Sequence, residues 1–150
     1  MGGGFKKNNP GCNCCGATAC SFCTSGTTPE TISVTISGVT DSYCDACSTL
    51  DGTYVLTKTA ADPCVWDYST PIFTQQCGVY NPPSSRSWYL KIFATLSGGW
   101  QFEIGSVGLA DAIYTLSLAS PFDCSVARTL NRTQQGTACS FPSTVTITPA

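Results

Sequence analysis

From residue 31 the chain falls into a period of two. Ile32, Val34 and Ile36 alternate with Thr31, Ser33, Thr35 and Ser37, which predicts a strand with one buried face. Asp51-Gly52, a strong turn dipeptide, leads into a second strand over residues 53–58. Residues 64–68 predict a third. The clearest strand covers 87–96, with Trp88, Leu90, Ile92, Ala94 and Leu96 on one face and Tyr89, Lys91, Phe93 and Thr95 on the other. Ser97-Gly98-Gly99 then turns the chain into Trp100, Phe102 and Ile104, which alternate again and complete a hairpin. Residues 112–119 place Tyr114, Leu116 and Leu118 on one face. Residues 143–148, with Val145 and Ile147, form the last strand.

No segment carries a helical period. Seven strands separated by turn signals predict an all-β fold, an antiparallel β-sandwich or jelly roll with an N-terminal Cys-rich loop region. Trp88 and Trp100 are the expected core anchors. Residues 69–85, with Pro71, Pro82 and Pro83, are expected as a long loop tethered by Cys77. After residues 112–119 comes a polar stretch that holds Cys124 and Cys139. Residues 1–11 are rich in Gly and Asn and predict a flexible arm, either a frayed terminus or an arm that docks on a neighbouring subunit through Phe5. Residues 12–150 are expected as a single Cys-rich domain, with the cysteine knuckles inside 12–47. A chain of 150 residues is long enough to bury a real core.

Composition narrows the function classes. Only 11% of residues are charged, against about 25% in an ordinary soluble domain, and Ser, Thr and Gly take the vacated places. The net charge is −2 and the only basic pair is Lys6-Lys7, so nucleic-acid binding is not expected. No stretch approaches the length of apolar chain that spans a bilayer. The first ten residues lack the apolar core of a secretory signal. There is no histidine, which removes Ser–His–Asp and Cys–His arrangements and the usual general base near neutral pH. No catalytic residues are therefore expected, and the chain reads as non-enzymatic.

The candidate chemistry lies in the sulfurs. There are eleven cysteines, five of them within residues 12–23. Cys20-x-x-Cys23 and Cys44-x-x-Cys47 have the spacing of a closed four-thiolate site. Structural zinc on Cys20, Cys23, Cys44 and Cys47 would contribute about 10 kcal/mol or more to folding. The competing use is disulfides, with Cys64–Cys77 and Cys124–Cys139 as local bridges; an odd count leaves at least one thiol over. An iron–sulfur cluster is a further use of four thiolates, with nothing nearby that suggests electron transfer. The absence of a signal and the initial Met1 favour folding in a reducing cytoplasm, where clustered cysteines read as metal ligands.

Cys14-Cys15-Gly16, Cys20-x-x-Cys23, Gly26-Thr27-Thr28-Pro29, Cys44-x-x-Cys47, Leu50-Asp-Gly-Thr-Tyr54, Cys64-Val-Trp66 and the terminal Thr-rich strand together resemble a group of small Cys-rich hypothetical proteins of tailed phages and environmental bacteria. The resemblance covers about half of the chain. It implies a virion component of head or tail, folded in host cytoplasm and exposed outside the cell afterwards. Partners would be copies of itself and other virion or surface-structure proteins. Two alternatives stand beside this expectation: a carbohydrate-binding or adhesin module, with Tyr43, Tyr80 or Tyr89 stacking on sugar rings, and a subunit of an extracellular filament joined by strand donation through residues 1–11.

Overall fold

The computed structural model describes residues 19–41, 46–75, 85–96, 99–106 and 109–150. Eleven strands follow in order: β1 (Thr31–Ile36), β2 (Thr40–Asp41), β3 (Gly52–Lys58), β4 (Val65–Asp67), β5 (Ile72–Gln75), β6 (Ser85–Thr95), β7 (Gly99–Ser106), β8 (Leu109–Ser117), β9 (Arg128–Gln135), β10 (Cys139–Ser140) and β11 (Thr144–Pro149). A single 3₁₀ turn, Cys47–Leu50, precedes β3.

The large sheet runs β4-β3-β1-β11-β9-β8-β7-β6-β5, and β4 also pairs with β6. That extra pairing joins the two ends of the sheet, so β1, β3, β4, β6, β7, β8, β9 and β11 form a closed, eight-stranded antiparallel barrel. Each wall strand pairs with the next one in sequence, and β11 returns to β1. This corrects the expected sandwich or jelly roll. Its cause is the eighth wall strand, β9, which lies in the polar stretch to which the sequence pattern assigns no strand. Its inward positions include Arg128 and Arg132 beside Leu130, so the apolar alternation is broken. With β9 in place the meander can close through the β9–β11 and β11–β1 pairings. The expected loop over 69–85 likewise contains a strand, β5.

Register decides which side chains fill the interior. Ile32 and Val34 of β1 face Leu56 and Tyr54 of β3. Val145 and Ile147 of β11 lie in the same layer. Leu90 and Ile92 of β6 meet Ile104 and Phe102 of β7. Trp66, Trp88, Trp100 and Tyr114 are all fully buried among them, so the expectation for Trp88 and Trp100 holds. An eight-stranded barrel is just wide enough for side chains to fill, and aromatics fill this one. The outer face carries Thr31, Ser33 and Thr35 of β1, Thr53 and Thr57 of β3, and Thr144, Thr146 and Thr148 of β11. Apolar side chains inside a hydroxyl-coated wall reverse the polarity of a barrel that faces lipid. No helix among the described residues is long and apolar enough to cross a membrane.

At Gly99 two wall strands approach closely. The residue begins β7 at φ +121°, and a Cβ there would collide with the Leu116 carbonyl on β8. Only glycine combines that backbone angle with so close an approach.

Candidate functional site

The chemistry concentrates at the two ends of the barrel, where loops cross its mouths. At the end where β1 starts, residues 19–30 lie over the opening. Cys20 is bonded to Cys64 in the β3–β4 turn, and Cys23 to Cys124 in the β8–β9 loop. Main-chain bonds reinforce this lid: Thr24 N donates to Phe122 O at 2.8 Å, and Phe122 N to Phe22 O at 3.0 Å. Thr28 Oγ1 accepts from Cys20 N and Thr27 Oγ1 from Cys124 N. The Phe122 ring then enters the mouth edge-on to Trp100, 5.4 Å between centroids, and Trp100 rests on Trp66 at 5.5 Å. Trp66 Nε1 donates to Pro29 O at 3.0 Å, so a buried indole also holds the lid.

The other end is closed by the same device. Cys47, at the start of the 3₁₀ turn, is bonded to Cys139 of β10. The short β2–β10 ladder lies beside this bridge. Asp41 and Asp51 accept from Cys47 N at 2.7 Å and Val39 N at 2.9 Å. Phe141, two residues after Cys139, stands edge-on to Trp88 at 5.8 Å. Two inward groups fasten the loop: Arg132 donates to Phe141 O, and Tyr114 Oη donates to Pro142 O at 2.6 Å. Burial pushes the Tyr114 phenol up to about 12, partly offset by the Arg132 charge.

The structure therefore places the expected metal ligands in a different setting. Cys20 and Cys23 sit at one end of the barrel and Cys47 at the other, each in its own disulfide. Cys44 lies outside the described residues, as do Cys12, Cys14, Cys15 and Cys77. Zinc on the expected quartet requires these sulfurs as thiolates gathered at one point. Among the described residues no cluster of three or more His, Cys, Asp or Glu is arranged to hold a metal. The expected local bridges are corrected: Cys64 pairs with Cys20 rather than Cys77, and Cys124 pairs with Cys23 rather than Cys139. The partners are 44, 101 and 92 residues apart. Connectivity at such distances follows from the barrel and cannot be read from spacing. All six described cysteines are bridged, and three disulfides point to an oxidising, extracellular or exported environment.

Two further surfaces are built. A shallow pocket of about 260 Å³ opens beside the first lid, lined by Thr27, Thr28, Pro29, Ser125, Pro149 and Ala150. Next to it, the Ser125 hydroxyl and main-chain N–H hold the exposed Asp123 carboxyl below its usual range. On the outer wall Lys91 of β6 stands between Asp67 of β4 and Glu103 of β7. Gln101 donates to Glu103 at 2.8 Å, and Tyr89 Oη lies 3.5 Å from the same carboxylate. Burial, and then the Glu103 charge, raise the Tyr89 phenol. Tyr89 is thus half-buried and engaged, while Tyr43 and Tyr80 lie outside the described residues.

No protein-family model, no curated protein and no solved structure matches this chain.

Proposed function

We propose that this chain is a non-enzymatic building block of an assembly exposed to an oxidising exterior, and that a virion subunit, of head or tail, is the form the sequence resemblance favours. The observation that carries this reading is the position of the disulfides. One or two bridges lock each mouth of a barrel whose interior is already packed with aromatic side chains. Such a body offers its outer wall rather than a lumen to other molecules. Bridges of this span restrict the unfolded chain strongly and suit a protein that must persist outside a cell. The wall is hydroxyl-rich and weakly charged, so neighbouring copies repel one another little. The lack of histidine argues in the same direction.

The test is sedimentation of the oxidised full chain from micromolar to millimolar concentration, with and without particles from the source. Concentration-dependent self-association or co-sedimentation with particles is expected. A strict monomer that never travels with a particle ends the reading.

A second reading, a glycan-binding module, draws on the outer-wall group of Tyr89, Lys91, Gln101 and Glu103, which joins an aromatic ring to polar groups held in place. A glycan array on the oxidised protein should then show binding that Glu103→Gln and Tyr89→Ala both abolish. Signal at background across the array would dispose of it.

A further inference from the structure

Among the described residues the strand pairing of the wall is incomplete between β3 and β5, a gap in the ladder beside which the 3₁₀ turn Cys47–Leu50 packs on β5 and the Tyr54 and Tyr68 rings meet at 5.3 Å. Near the first lid β4 bridges β3 and β6. Farther along, β5 pairs only with β6, and β3 before Thr57 pairs only with β1. Lys58 N donates to Glu30 O. The alternation of an antiparallel ladder then turns the main-chain groups of Leu56 and Tyr54 toward β1 and those of Val55 and Thr53 into the gap. Tyr68 N donates to Leu90 O. By the same alternation Ile72, opposite Trp88, faces β6, and Phe73 faces the gap.

Thr53, Val55 and Phe73 have no main-chain partner across this gap among the described residues. Val55 and Phe73, 52% and 61% exposed, stand on its two lips. At its head, Asp67 Oδ1 is shielded from solvent and has no hydrogen-bond partner among the described residues. Open edges in native sheets are normally blunted by charge or covered; these lips carry no charge. Free main-chain donors and acceptors flanked by apolar side chains fit an extended peptide strand.

The chain itself holds a segment of the right chemistry. Residues 1–18 precede the described part and lead to Cys20, which is bonded to Cys64 beside the head of β4. Extended, they span up to about 60 Å, well beyond a globule of roughly 15 Å radius of gyration. They carry Lys6 and Lys7 and no acid, whereas the rest of the chain has the other five basic residues against all nine acids. Opposite charge draws such a segment to a barrel.

We propose that the N-terminal segment of a second copy enters this gap as an added strand. Phe5 covers Val55 and Phe73, and Lys7, two residues on and therefore on the same face, meets Asp67. This inference rests on the assembly reading and names its joint.

The test replaces Phe5 with the photoreactive p-benzoylphenylalanine in the full oxidised chain and irradiates an equal mixture of ¹⁵N-labelled and unlabelled protein. Crosslinks from position 5 to residues around Val55 or Phe73 that join labelled to unlabelled chains are expected. Phe73→Lys and Phe5→Ser should each weaken self-association at least tenfold with all three bridges retained; Phe5→Ser changes none of the described strands and guards against misfolding of the first variant. Crosslinks confined within one chain mean that the segment fills its own gap and overturn the proposal. Undiminished association in both variants overturns it while leaving the assembly reading intact, and a chain that never associates overturns both.

Discussion

Single residues decide how tightly the wall closes. Gly99 sits at positive φ with no room for a Cβ against Leu116. Gly99→Ala should cost about 2 kcal/mol or more, since strain and a backbone clash act together, measured as a lowered urea midpoint with the bridges intact. Tyr114 contributes to the loss of stability at alkaline pH. Its phenol ionises at about 12 in the folded barrel against 10.0 ordinarily. The raised value favours the fold at every pH below about 10, and that contribution disappears as pH rises toward 12. Stability should therefore fall across that window, and Tyr114→Phe should flatten the fall. At neutral pH the same substitution should cost about 1 kcal/mol, from the lost bond to Pro142. Absorbance titration of tyrosine beside denaturation at each pH checks both statements.

At the scale of elements, two lids of similar design close the barrel. Each couples a disulfide to a phenylalanine two residues away: Cys124 with Phe122, and Cys139 with Phe141. Removing the Cys47–Cys139 bridge by a paired change to serine should lower stability by about 3–4 kcal/mol, given its 92-residue separation. Tm or denaturant midpoint of the doubly substituted, otherwise oxidised protein is the measurement, and an unchanged value would show the second lid to be held without its sulfur. Peptide mapping under non-reducing conditions should recover 20–64, 23–124 and 47–139. The strands were legible where burial alternates with hydroxyl: β1, β6, β7 and β11 read directly from Ile32, Leu90, Phe102 and Ile147 with their polar neighbours. β9 was not, because Arg128 and Arg132 occupy inward positions and break the apolar alternation, the Arg132 guanidinium donating to the Phe141 carbonyl. β5 was hidden by the prolines around it.

For the molecule as a whole, closure and covalent locking act together. A ring of paired strands removes most edges, and the bridges tie its lids to strands far away in sequence. Reduction should release the lids before the wall. Under mild reductant, hydrogen exchange should rise first over residues 19–30 and 136–143, while Leu90, Ile92 and Phe102 stay protected. Simultaneous loss across all three regions would mean that wall and lids form one cooperative unit. The proposed assembly belongs to this scale as well: weak net charge permits close packing, and the gap between β3 and β5 supplies direction.

Sequence alone determined that this chain is all-β, where most wall strands lie, which aromatics are core, and that the cysteines crowd into the N-terminal third. These are local properties, set by side-chain alternation and turn chemistry within a few residues. Tertiary structure alone decided that the sheet closes into a barrel and which sulfurs meet. Both depend on β4 reaching β6 and on cysteines 44 to 101 residues apart arriving at the same mouth. No short-range pattern encodes such meetings, because they follow from the register of every strand between them.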